Sequence, residues 1–171
     1  IEKRSFEIIT EELQGRNFPP EQEAIIKRAI HTSADFDYAD NLCFSEDAVK
    51  LAHEAIQNGA CIVTDTQMAK AGINKRSLSK FGGEVYCFMS DEDVAQKAKE
   101  QEVTRAQVSM EKAAKLQKNL IFAIGNAPTA LIKLYEMIQE GKIKPKLIIG
   151  VPVGFVNVVQ SKELIMKADV P

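Results

Sequence analysis

Residues 60–67 read Ala60-Cys61-Ile62-Val63-Thr64-Asp65-Thr66-Gln67. An apolar, β-branched run passes straight into a polar turn. It is strand-sized and has no amphipathic alternation, so it reads as a strand buried on both faces. Val85 to Met89, Leu120 to Ile124 and Leu147 to Val151 have the same character, and Asn41-Leu42-Cys43-Phe44 reads as a further short edge strand.

Helix signals fill the intervals. Ser45-Glu46-Asp47-Ala48 opens one helix by N-capping and Gly59 closes it. Ser90-Asp91-Glu92-Asp93 clusters acid where a helix dipole favours it. A third helix opens near Ala127-Pro128-Thr129 and runs to Gly141. Upstream, Ser5 to Gln14 and Pro20 to Ile30 carry helical periodicity, with Pro20 suited to a first turn. Strands alternating with helices predict an α/β fold: a single-domain, doubly wound (Rossmann-like), mostly parallel sheet flanked by helices. Ligands of such sheets bind outside the carboxyl ends of the strands, so chemistry is sought in the turns there.

The chain of 171 residues is sized for one domain, 1–171. Its 22 Lys and Arg against 24 Asp and Glu exert no general pull on nucleic acid or a membrane surface. No apolar run approaches the ~20 residues of a membrane span. The start, Ile1-Glu2-Lys3-Arg4, is charged, shows no signal-peptide core and lacks an initiator Met. Cys43, Cys61 and Cys87 form no CxxC pair and sit in apolar runs, which reads as buried free thiols in a reducing, cytoplasmic setting.

Three turns carry polar or glycine-rich sequence: Thr64-Asp65-Thr66-Gln67, Gly125-Asn126-Ala127-Pro128-Thr129 and Gly150-Val151-Pro152-Val153-Gly154-Phe155. The second precedes a helix, where unpaired backbone N–H groups attract anions. That turn serves equally well if Gly125 and Asn126 only shape it. No GxGxxG, GxxxxGK[ST] or HExxH motif occurs, and no Cys/His cluster has metal-ligand spacing, so neither cofactor nor metal is called for. Between Asp65 and Glu84, Lys70, Lys75, Arg76 and Lys80 stand without one acid, beside Gly72, Gly82 and Gly83. This stretch reads either as a solvated basic face or as a mobile flap over a polyanionic substrate.

Of two histidines, His53 lies mid-helix among Leu51, Ala52, Ala55 and Ile56 and reads as structural or surface. His31 ends the Pro20 helix beside Thr32-Ser33, with Asp35 and Asp37 close in sequence. A helix end beside a polar turn suits a titrating imidazole.

Several segments together resemble the precorrin-8X (cobalt-precorrin-8) methylmutases, or precorrin isomerases. They are Ser5-Phe6-Glu7-Ile8-Ile9, Arg28-Ala29-Ile30-His31, Thr64 through Ile73, Thr104-Arg105-Ala106, Gly125 through Leu131, and Gly150 through Val156 with Ser161-Lys162-Glu163. The likeness runs in order along essentially the whole chain, and the last segment is its most specific part. The family pattern continues past Pro171 into another strand and a glycine-rich segment with a basic residue.

The resemblance implies migration of a methyl group from C-11 to C-12 of a corrin precursor, giving hydrogenobyrinic or cobyrinic acid in cobalamin biosynthesis. It implies a corrinoid substrate, with or without cobalt, and a homodimer. His31 is implied as the residue that protonates or hydrogen-bonds a ring nitrogen. Ser5, Thr64, Asp65, Arg105 and Asn126 are the expected substrate contacts, with Pro152, Val153 and Gly154 from the last turn and Lys75 and Arg76 from the basic stretch. The chemistry fits, since a methyl shift within a conjugated ring asks for a large pocket, carboxylate binders and one group that exchanges a proton near neutral pH. Two other readings remain: a non-catalytic corrinoid carrier, and a sugar-phosphate- or nucleotide-binding α/β domain using the Gly125-Asn126 turn.

Overall fold

The computed structural model describes residues 1–171. They pack as two compact units, residues 1–50 and 51–171.

The first unit is helical, with α1 (Glu2–Glu12), α2 (Pro20–Ser33) and α3 (Tyr38–Asn41). Ile9 with Leu13, and Ile26 with Ile30, are spaced four apart, so each pair lies on one helix face. They form this unit's core, joined by Phe18, Tyr38, Leu42 and Phe44. Pro20 stands in the first turn of α2, and Ala34 ends the helix in a left-handed conformation (φ 57°), its amide returning to Ile30 O at 2.8 Å. The segment expected as an edge strand at 41–44 is not one. Asn41 closes α3, Leu42 caps it with its amide on Tyr38 O at 3.2 Å, and Leu42 and Phe44 turn into the helical core without a strand partner. Cys43 between them faces outward, so the buried-thiol expectation holds for Cys61 and Cys87 but not for Cys43.

Helix α4 (Ala48–Gln57) leads into the second unit. Its first amide bonds the Ser45 backbone carbonyl at 3.1 Å, so the expected side-chain cap from Ser45 is replaced by a backbone turn. Gly59 closes the helix at φ 78°, a conformation that favours glycine. Strands β1 (Cys61–Thr64), β2 (Val85–Tyr86), β3 (Leu120–Ile124) and β4 (Leu147–Gly150) form one sheet in the order β2-β1-β3-β4, every pair parallel. Side chains alternate across it. Ile62, Ile121 and Leu147 meet Ala55 of α4 on one face. On the other, Val63, Phe122 and Ile124 pack against α8 (Arg105–Ala114), α9 (Pro128–Gln139) and α10 (Val158–Ile165). Phe122, Leu131 and Leu134 are fully buried, each contributing roughly 1.5–3 kcal/mol by leaving water.

The doubly wound parallel sheet is as the sequence predicts. β1 and β3 are the most buried strands, whereas Ile149 of β4 is 44 % exposed and the Ile148 amide bonds Pro171 O at 3.0 Å. β2 is shorter than expected because Phe88 and Met89 leave the ladder and pack against the core as coil. Helix α7 (Glu92–Glu100) lies against α8 through Val94, Ala98 and Val108. No helix is long and apolar enough to cross a membrane.

The basic stretch is not a glycine-hinged flap. It folds into α5 (Gln67–Gly72) and α6 (Lys75–Ser79), capped by Thr66 Oγ1, which accepts from Ala69 N, and by Asn74 Oδ1, which accepts from Ser77 N. Leu78 is buried, and a Cβ on Gly83 would lie 2.5 Å from Ala60 O. The stretch therefore descends from the carboxyl end of β1 to its amino end.

Candidate functional site

The strand order places a topological switch point between β1 and β3: the chain leaves β1 toward one edge and β3 toward the other. Sheets of this kind bind ligands in the crevice outside the carboxyl ends at that point. Its two walls are the turns at Thr64–Gln67 and Gly125–Thr129, both singled out in the sequence.

Asp65 joins these walls. It is fully buried, and its carboxylate accepts from Gly125 N at 3.0 Å, Asn126 N at 2.8 Å and Ala127 N at 2.6 Å. The amides before α9 do receive an anion, and that anion belongs to the chain. This corrects the expectation that the turn offers its N–H groups to a substrate carboxylate or phosphate. The sugar-phosphate or nucleotide reading loses its anchor for the same reason. Thr64 is also fully buried, and its hydroxyl donates to Thr66 O at 2.9 Å and approaches Tyr86 O at 3.4 Å, shaping the turn from inside. Gly125 and Asn126 remain exposed at the crevice mouth, so Asn126 presents its side chain while its backbone is engaged.

Two bridges that sequence reasoning missed stiffen the rim. Gln67 Nε2 donates to Ser90 Oγ at 3.3 Å, linking the turns after β1 and β2. Thr104 Oγ1, which caps α8 in a reciprocal box with Gln107, lies 3.0 Å from Thr129 Oγ1 in the first turn of α9. The pattern Thr104-x-x-Gln107 signals the cap, but nothing local signals the hydroxyl partner. Arg105 follows Thr104 as the first residue of α8, exposed and without an ion pair, and lines a shallow groove with Gln96 and Lys99. Lys75 and Arg76 are likewise exposed and unpaired on α6. After β4, Pro152 is buried, whereas Val153 is 65 % and Phe155 102 % exposed, and Gly154 adopts φ 136°. The Pro152–Gly154 segment is thus an apolar projection rooted by its proline.

In the first unit, His31 is half-buried in the last turn of α2. Its Nδ1 lies 2.7 Å from Ser5 Oγ, and its ring stacks on Phe6 with centroids 5.2 Å apart. Nε2 makes no hydrogen bond within the chain. The Arg28 guanidinium sits 4.8 Å from the Phe6 centroid and binds Glu2 at 2.5 Å, which holds the Glu2 carboxyl below its ordinary value. Asp35 and Asp37 are close to His31 in sequence. Asp35 Oδ1 accepts from Asp37 N at 2.9 Å, and neither carboxylate bonds the imidazole. His53 is exposed on α4, in keeping with a surface role.

Comparison with known proteins agrees with this fold. The family model described as "CbiC: Precorrin-8X methylmutase" matches residues 1–171. The chain is 48 % identical to the cobalt-precorrin-8 methylmutase of Priestia megaterium, over 100 % of this chain and 76 % of that one. It is 44 % identical to the enzyme of the same name from Salmonella typhimurium, over 100 % and 82 %. A crystal structure of precorrin-8x methyl mutase from Thermus thermophilus superposes with a TM-score of 0.89 at 37 % identity, covering 99 % of this chain and 83 % of that one. With relatives this similar along its whole length, in sequence and in three dimensions, the chain belongs to the precorrin-8X methylmutase family, whose members are methyl-shifting isomerases.

Proposed function

We propose that this protein moves a methyl group from C-11 to C-12 of precorrin-8X or its cobalt-bearing counterpart, giving hydrogenobyrinic or cobyrinic acid, with His31 handling the proton. The observation that carries the reading is the state of His31 in a chain of this family: one ring nitrogen is held by Ser5 and the other has no protein partner. An imidazole titrates near neutral pH, and general acid–base catalysis by a positioned side chain is worth ~100-fold or more. In this reading Nε2 lends a proton to a ring nitrogen while the methyl group migrates and takes it back afterwards.

The macrocycle carries several carboxylates. Arg105 and the Asn126 side chain serve them at the crevice rim, and the apolar Pro152–Gly154 projection meets the ring. Lys75 and Arg76 contribute through their field. Asp65 and Thr64 act by building the crevice. Cobalt, where present, belongs to the substrate. The working unit is a homodimer in the cytoplasm, where three free cysteines are at home.

The test is turnover of precorrin-8X and cobalt-precorrin-8 followed by absorbance. His31→Asn folds and binds the corrinoid product, while its turnover falls ~100-fold or more. A normal rate in that variant would sink the proton role. A wild-type protein that binds the product but turns nothing over is a corrinoid carrier.

A further inference from the structure

His31 is gripped from two directions by consecutive residues of α1: Ser5 Oγ meets the ring edge at Nδ1, 2.7 Å away, and Phe6 stacks on the ring face with an interplanar angle of 21°. Arg28 and His31 stand three apart on α2 and so share a helix face, and Arg28 also lies over Phe6. Arg28 in turn binds Glu2, one helical turn before Ser5 and Phe6. Glu2, Arg28, Phe6, Ser5 and His31 thus form one continuous set of contacts between the two helices.

We infer that Ser5 is a positioning residue rather than a substrate contact: it fixes the ring of His31 by engaging Nδ1, so that Nε2 is the nitrogen left to exchange with the substrate. The inference rests on the proton role proposed for His31. In the charged ring both nitrogens carry hydrogen, and Nδ1–H donates to Ser5 Oγ. Nε2 gives its proton to a nitrogen of the macrocycle, leaving a neutral imidazole whose Nδ1–H still donates to the same oxygen. When the methyl shift is complete the proton returns to Nε2, with nothing gained or lost. The hydroxyl suits both states without rotating. A carboxylate in its place would stabilise the imidazolium and make Nε2 a weaker acid, whereas a hydroxyl supplies direction without charge. Glu2 on α1 and Arg28 on α2 are paired with each other, and Asp35 in the turn after α2 is engaged with the Asp37 amide.

The experiment is steady-state kinetics of Ser5 variants with precorrin-8X, alone and in the His31→Asn background. Ser5→Ala loses at least ~10-fold in kcat with KM unchanged, Ser5→Thr keeps kcat within ~3-fold, and Ser5→Ala costs nothing further once His31 is Asn. Should the alanine variant fail to fold, Ser5→Cys, close in shape but a poor hydrogen-bond partner, shows the same loss in kcat. The inference is overturned if Ser5→Ala (or Ser5→Cys) keeps its kcat, raises KM alone, or compounds the loss of His31→Asn. Its failure is separable from that of the parent reading. An inactive His31→Asn beside a fully active Ser5→Ala removes only the Ser5 role, whereas a fully active His31→Asn removes both.

Discussion

Asp65, in the turn after β1, accepts the amide of Asn126, in the turn after β3, at 2.8 Å. With Gly125 and Ala127 bonded to the same carboxylate, one buried side chain closes the crevice floor. The geometry demands two acceptor oxygens. Asparagine has one, and its NH2 would face an N–H. Asp65→Asn therefore lowers unfolding stability by about 2 kcal/mol or more, as for hydrogen bonds to a charged group. Asp65→Ala, which strands all three amides, costs at least as much. Urea titration checks this, and an unchanged midpoint in both variants would contradict it.

Glu111 on α8 is 27 % exposed and pairs with Lys97 of α7 at 2.5 Å and Lys133 of α9 at 3.1 Å. Partial burial pushes its carboxyl up, but the hydrogen bonds from Lys97 and Lys133 win and hold it below its ordinary 4.5. A group depressed on folding stabilises above its unfolded pKa and stops doing so as pH falls through the folded one. Glu111→Gln thus costs about 1 kcal/mol at neutral pH. Its melting temperature converges on the wild type's as the pH drops below 4.5. A gap that persists at lower pH would show that packing, and not charge, is at stake.

Arg105 stands exposed at the start of α8, in a groove with Gln96 and Lys99, with no acid to neutralise it. A guanidinium binds a carboxylate through two parallel hydrogen bonds that an ammonium cannot reproduce. Arg105→Lys raises KM for the corrinoid ~10-fold and leaves the melting temperature unchanged. Normal KM would reduce Arg105 to a solvated side chain.

Lys75 and Arg76 stand exposed on α6 without an acid to neutralise them, so they attract a polyanionic ring through their field. Changing both to Gln weakens corrinoid binding a few-fold at low ionic strength. The difference vanishes near ~1 M salt, where screening operates within ~3 Å. Equal affinity at low salt makes this stretch a solvated face, and a loss that survives high salt makes the two residues direct contacts.

Much of the second unit was legible because a buried parallel strand leaves a local signal. Leu120 to Ile124 was recognisable without its partners, and its bounds are those of β3. The signal weakens where burial is one-sided, so Val85 to Met89 carries strand character past the end of β2 and residues 41–44 carry it without forming a strand. Short helices such as α5 and α6 have too few residues to show periodicity, and only the structure reveals their caps, Thr66 and Asn74. Site residues were legible one at a time. Their pairings were not, because Asp65 and Asn126 are 61 positions apart and Ser5 and His31 are 26 apart. A glycine-asparagine turn looks alike whether its anion arrives from solvent or from the chain.

The strand order also fixes when the crevice can exist during folding. β1 meets β2 through Ile62 and Val85, 23 positions on, and β3 meets β4 through Ile121 and Leu147, 26 on. The central seam joins Cys61 to Leu120, 59 positions on, and must close the longest loop of the sheet. Pairings of high sequence separation are the slow ones. Each half of the sheet can form before the other is found, and the Asp65 contact waits for the seam between them. Interactions absent from the transition state govern how fast the native chain opens rather than how fast it folds. A carboxylate contact that forms only with that seam is a latch: it acts on the lifetime of the assembled site and leaves the search for it unhurried.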